Sequence, residues 1–111
     1  MAKLEAALRG DFNDILRAID QGVLKGSVSA TLEDHSSFCS GPFRCAVRVF
    51  ERYSYMGKNR VSMNITLVSD GQRVFLSAIT AGGSQAMFFK LNTFGEEAFL
   101  DTLRGVVARY Q

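Results

Sequence analysis

Apolar and polar residues alternate most regularly between Arg60 and Thr80, in the stretch Arg-Val-Ser-Met-Asn-Ile-Thr-Leu-Val-Ser-Asp-Gly-Gln-Arg-Val-Phe-Leu-Ser-Ala-Ile-Thr. Alternation with a period of two predicts strands, and Asp70-Gly71 between two such runs predicts a hairpin closed by a two-residue type I′ turn. That turn implies a register in which Ser69 opposes Gln72, Leu67 opposes Val74, Ile65 opposes Leu76, Met63 opposes Ala78 and Val61 opposes Thr80. One face of the hairpin is then almost wholly apolar. A slip of one residue would turn all of those side chains into water.

The period changes towards both ends of the chain. Residues 2 to 9 fit a short helical turn with Leu4 and Leu8 on one side, broken by Gly10. Asp11 then offers an N-cap carboxylate. Phe12, Ile15, Leu16 and Ile19 follow at helical spacing and predict a helix from about residue 11 to 21, which Gly22 is placed to end. Near the other end, Thr93-Phe94-Gly95-Glu96 fits a capping box. Beyond it Phe99, Leu100, Leu103, Val106, Val107 and Tyr110 keep one face of a second helix apolar.

Strand patterns fill the space between these helices. Val28, Ala30 and Leu32 alternate with polar neighbours; residues 35 to 42, with the only proline, read as a loop. Phe43, Cys45, Val47 and Val49 alternate with Arg44, Ala46, Arg48 and Phe50 in a further strand. Gly57-Lys58-Asn59 turns the chain into the central hairpin, and Gly82-Gly83 turns it out towards a fifth strand over Gln85 to Leu91. Short connections favour an antiparallel meander. The expected fold is α+β, a single domain over residues 1–111: a four- or five-stranded antiparallel meander sheet with N- and C-terminal helices packed on one face.

Composition narrows the possible roles. Of the 111 residues, 47% are hydrophobic and 22% charged, which is globular rather than disordered. A net charge of +2 does not by itself call for nucleic acid. The chain shows no charged-then-apolar leader and no apolar run near the ~18 residues that span a bilayer, so the cytoplasm is the expected location, with no membrane partner. Two cysteines are a poor disulfide framework and are expected as free thiols.

If Val61, Met63, Ile65 and Leu67 face the helices, the other side of the sheet shows Arg60, Ser62, Asn64, Thr66, Arg73, Phe75, Ser77 and Ile79. The neighbouring strand is expected to add Arg44, Arg48, Phe50 and Arg52. Hydroxyls and amides line the middle of this face, arginines its edges, and Phe50, Phe75 and Ile79 ought to be covered. A partner subunit or a ligand contacts mixed faces of this sort.

Other constellations carry less. Arg44, Arg48 and Arg52 recur every fourth residue, roughly 13 Å apart at ~3.3 Å per residue, and could form a basic rail for nucleic acid with Phe50 and Phe75 as stacking platforms. The nearly balanced charge and the lack of a glycine-aromatic RNA-binding signature favour a solvated face instead. His35, Cys39 and Cys45 give three candidate ligands where zinc usually takes four, and Cys45 falls on an apolar position of its strand. A Cys39–His35 nucleophilic pair has no further support. Thr80 to Gln85 is glycine-rich but is not followed by a lysine and a helix, so a turn explains it. Phe88, Phe89, Phe94, Phe99 and Tyr110 could line a small-molecule pocket, although at this chain length they fit a core.

The runs Asn59-Arg60-Val61-Ser62 and Ile65-Thr66-Leu67 carry a family resemblance. So do Leu76-Ser77-Ala78-Ile79-Thr80-Ala81-Gly82-Gly83-Ser84-Gln85-Ala86 and Asn92-Thr93-Phe94-Gly95-Glu96-Glu97. Together they resemble a family of small uncharacterised bacterial proteins, mostly from Firmicutes. The resemblance implies a bacterial, intracellular, single-domain protein and transfers no catalytic, cofactor or metal residue.

Three functional readings follow. The first is a non-enzymatic binding or assembly module that forms a homodimer through the free sheet face, at Arg44, Arg48, Phe50, Arg52, Asn64, Thr66, Phe75, Ser77 and Ile79. The second is a small-molecule-binding protein with a pocket between sheet and C-terminal helix beside Phe88, Phe99 and Leu103. The third is nucleic-acid binding along the basic strand. An enzyme ranks last: there is one histidine, no metal set and no activated nucleophile, and no cofactor is expected.

Overall fold

The alternating stretch forms two strands, β4 (Asn59–Ser69) and β5 (Val74–Gly82). Their inward side chains Val61, Met63, Ile65, Leu67, Leu76 and Ala78 are completely buried. The computed structural model describes residues 1–54, 59–82 and 89–111. Within them are five strands and two helices: β1 (Ala2–Leu8), α1 (Phe12–Lys25), β2 (Thr31–Ser40), β3 (Phe43–Ser54), β4, β5 and α2 (Phe89–Tyr110). All neighbouring strands pair antiparallel in one open sheet of order β1-β5-β4-β3-β2. The fold is therefore α+β as expected. Strands β2 to β5 form the meander, and β1 adds to its far edge.

The hairpin register differs from the one that the Asp70-Gly71 turn implies. Ser69 pairs with Val74, Leu67 with Leu76, Ile65 with Ala78 and Met63 with Thr80, so Gly71 and Gln72 are the central turn residues. Asp70 explains the change. Its carboxylate accepts the backbone N–H groups of Gln72 (3.0 Å) and Arg73 (2.9 Å), while its own N–H donates to the Arg73 carbonyl (3.3 Å). These backbone donors, with the Arg73 guanidinium, hold the Asp70 carboxyl well below its usual range, at about 2. Asp70 thus closes the turn from its flank, and Gly71 takes the positive φ of +100° at the first central position. The register moves by two residues, so every side chain keeps its face.

Residues 2 to 8, expected as a helical turn, are strand β1. Leu4 and Leu8 fit both periods, but Ala2, Ala6 and Leu8 are buried together on the pleat. Register runs from Ala2 opposite Thr80 to Leu8 opposite Val74, and the buried Thr80 hydroxyl donates to the Ala2 carbonyl (3.3 Å). The strand expected around Val28 to Leu32 and the loop expected over 35 to 42 are likewise redrawn. Strand β2 runs from Thr31 to Ser40, with an irregularity between Leu32 and Asp34, and returns through Gly41-Pro42 into β3.

The face of β3 is inverted relative to its apolar pattern. Ala46 and Phe50 point to the helices and are buried, Phe50 completely, while Cys45, Val47 and Val49 are half-buried on the other side. Register couples the choice to β4, because Phe50 opposes Met63 and Arg48 opposes Ile65. Two helix contacts make arginines acceptable on that side. Arg48 Nε lies 3.1 Å from an Asp20 oxygen of α1, and the Arg52 guanidinium sits over the Phe99 ring of α2, 4.9 Å from its centre. Burial lowers the Arg52 pKa, with Asp101 acting in the opposite direction.

Both helices pack on this face. The Asp11 carboxylate caps α1 by accepting the Asp14 N–H at 3.0 Å, as the sequence implies. The helix continues past Gly22 to Lys25. Gly22 serves a close approach rather than a stop: a Cβ there would lie 2.5 Å from Val106 Cγ2 on α2. Helix α2 begins at Phe89, so Thr93 to Glu96 lie inside it and do not cap it. Glu96 is buried and pairs with the Met1 α-amino group at 3.3 Å. The expected fifth strand over Gln85 to Leu91 enters α2 from residue 89, whereas residues 85–88 lie outside the described residues, as does most of the Gly57-Lys58-Asn59 turn.

Two pairs of substitutions test this packing. Gly22→Ala should destabilise by about 1–3 kcal/mol through overpacking. Gly105→Ala, where an added Cβ meets nothing within 4 Å, should stabilise by about 0.5–1 kcal/mol. Chemical denaturation measures both. For the direction of β3, Phe50→Ala should cost about 3–5 kcal/mol, whereas Val49→Thr on the other face should cost about 1 kcal/mol or less. Equal losses from the two would contradict the inverted strand.

Candidate functional site

The side of the sheet away from the helices is the site that the fold leaves open. Its side chains come from alternate positions of every strand, and register arranges them in rows across the sheet. One row reads Ala7, Phe75, Val68, Cys45 and Phe38 from β1 to β2. The next reads Glu5, Ser77, Thr66, Val47 and Ser36, and the one after it Lys3, Ile79, Asn64, Val49 and Asp34. The first row is apolar from edge to edge, and the rows beyond it mix hydroxyls and an amide with Val47, Val49 and Ile79.

Exposure on this face is high for apolar groups. Phe75 and Ile79 are each 42% exposed and Phe38 63%. The Phe38 and Phe43 rings meet edge to face with centres 6.3 Å apart. Beside them an open depression of about 350 Å³ is floored by Ala7, Val68 and Phe75 and walled by Phe43 and Arg73.

Charges stand around the margin and are paired there. Lys3 lies 3.8 Å from Glu5 on β1, and Arg73 3.2 Å from Asp70 at the hairpin end. At the other end Arg60 reaches Glu51 at 2.8 Å and Glu33 at 3.7 Å. An apolar and hydroxyl-lined centre with charges at the rim is the usual anatomy of a contact surface.

Of the residues expected on this face, Asn64, Thr66, Phe75, Ser77 and Ile79 are brought together. Arg48, Phe50 and Arg52 are not: Phe50 is core, and the two arginines are engaged by α1 and α2. Arg44 shares their side of β3 and lines a groove against Phe12 and Leu16 of α1. The three arginines therefore form no common exposed rail. Cys45, Val47, Val49, Val68 and Phe38 take the vacated places. Register with β4 decides the face: it sets Phe50 opposite the buried Met63, while the other phenylalanine of β3, Phe43, stands at the start of the strand on the open side.

The remaining candidates are dispersed. Phe99 and Leu103 are completely buried in the core, and Phe88 lies outside the described residues. His35 and Cys39 sit four residues apart along β2, roughly 13 Å at ~3.3 Å per residue, which is too far for a nucleophile and its base. Cys39 opposes Arg44 and Cys45 opposes Phe38, and both thiols are free. Among the described residues, no group of three His, Cys, Asp or Glu side chains is placed to hold a metal ion. Among them, too, no helix is long and apolar enough to cross a membrane.

No curated protein matches the chain. A solved structure, the crystal structure of TTHA0849 from Thermus thermophilus, aligns over 97% of both chains at 11% identity and a TM-score of 0.33, a likeness too slight to inform the fold or the site. A family model described as a family of unknown function (DUF6054) matches residues 1–111. The chain thus belongs, over its whole length, to this family of unknown function.

Proposed function

We propose that this protein is a non-enzymatic assembly module in which two copies associate through their uncovered sheet faces. The observation that carries it is the apolar row from Ala7 to Phe38, exposed in the single chain and framed by paired charges. Five strands at ~4.8 Å spacing and about nine residues long give a face on the order of 700 Å². That is close to the roughly 800 Å² per partner in a stable complex.

A second copy suits this face better than an unlike partner. A two-fold interface uses one patch twice, so the patch must carry both a projection and a recess. The depression beside Phe75 and Val68 supplies the recess, and the half-exposed Ile79, two rows away, supplies the projection. Sheets packed face to face stand ~10 Å apart, a spacing that the small Ser77, Thr66 and Asn64 side chains in the middle do not obstruct. A bacterial cytoplasmic location goes with this proposal: the family resemblance is to bacterial proteins, and the two thiols are free.

Sedimentation across the micromolar range tests the proposal. The native chain should shift from monomer to dimer with rising concentration, while a Phe75→Asp, Ile79→Asp variant should stay monomeric with an unchanged circular dichroism spectrum. A native chain that remains monomeric throughout, or a variant that associates equally well, would refute it.

A further inference from the structure

The outer edge of β2 is a second surface, separate from the sheet face. Strand β2 is ten residues long and exposed along its whole length, and among the described residues only β3 pairs with it. A strand edge is a row of unpaired backbone donors and acceptors, which proteins normally guard with charge, proline, a bulge or a covering element. The opposite edge follows that rule. Strand β1 is seven residues long, carries Lys3 and Glu5, and packs against α2 on the helix-facing side of the sheet.

Strand β2 is guarded over half its length only. Glu33 and Asp34 are charged, and the register is irregular between Leu32 and Asp34. From Ser36 to Ser40 the sequence Ser-Ser-Phe-Cys-Ser has no charge, proline, glycine or bulge. We propose that this segment pairs antiparallel with the same segment of a second copy, about a two-fold axis at Phe38.

That register is self-consistent. Ser36 opposes Ser40 of the partner, Ser37 opposes Cys39, and Phe38 opposes Phe38. The acidic residues fall outside the paired segment, so no carboxylate faces another across the edge. Phe38 ends the apolar row Ala7, Phe75, Val68, Cys45, Phe38, and pairing at Phe38 continues the row into the partner's identical one. The two sheets become a single ten-stranded sheet, and the most exposed ring on the face gains an aromatic neighbour. The edge does not depend on face-to-face packing. Where both operate, two kinds of two-fold contact gather four copies.

Register-specific cross-linking tests the edge. In a Cys39→Ser, Cys45→Ser chain, Ser36→Cys and Ser40→Cys are made as two separate proteins, each also prepared with Phe75→Asp and Ile79→Asp to disable the face. Mild oxidation of the mixed pair should give a disulfide-linked dimer in both backgrounds, because opposed residues come within disulfide reach. Either protein alone should give little, since its own cysteines stand about four residues, roughly 13 Å, apart. Adding Phe38→Lys to both partners should suppress the link. Absence of the mixed dimer, equal linking by one protein alone, or loss of the link when only the face is disabled would overturn the edge pairing.

Discussion

The contact between the inward side of β4 and β5 and the helix α2 holds the rest in place. Met63, Ile65, Leu67 and Leu76 meet Phe99, Leu100 and Leu103 with no exposed surface left on any of them. Completely burying a side chain of this size contributes roughly 1.5–3 kcal/mol. The layer therefore determines which way the sheet faces and where each added strand must direct its side chains. Strand β3 shows the force of that constraint. Its register with β4 sends Phe50 into the layer, and Arg48 and Arg52 follow on the same parity although they are charged. The helices accommodate them, one with a carboxylate and one with an aromatic ring.

The same constraint creates the open face. A sheet has two sides, and two helices on one of them leave the other bare unless something else arrives. Here the bare side is not the polar surface that a solvated antiparallel sheet usually shows. It carries a row of apolar residues through all five strands, with charges moved to its margin. Strand β2 carries that row to the edge of the sheet and is exposed along its whole length. Both features make sense when burial is completed by another molecule.

Much of the architecture was legible in the alternation and in the Asp11 cap, whereas the Thr93 to Glu96 capping box falls inside α2. Asp11 and the Phe12, Ile15, Leu16, Ile19 stripe located α1, and Val61 to Leu67 identified the buried side of the hairpin. Three details were hidden for physical reasons. Leu4 and Leu8 satisfy a period of two as well as a helical one, and only the free edge of β5 decides for a strand. Asp70 looks like a turn centre, yet its carboxylate binds two backbone amides from the flanking position. Gly22 looks like a helix stop, yet Val106 of the other helix needs its missing side chain. For the candidate face, Asn64, Thr66, Phe75, Ser77 and Ile79 were found because β4 and β5 are unambiguous. The β3 members escape a reading of β3 alone because Phe43, Cys45, Val47 and Val49 outnumber Ala46 and Phe50 on the apolar count, and only the register with β4 sends the smaller set into the core.

Solvent accessibility of individual methyl groups, read by NMR with a soluble paramagnetic agent at low and high protein concentration, tests most directly whether the bare face is a contact surface. Ile15, Ile65 and Leu103 should be shielded at every concentration, while Ile79 and Val47 should be broadened in dilute solution and become shielded as concentration rises. Broadening of Ile79 and Val47 that is the same at both concentrations would contradict the claim that this face closes on a second copy.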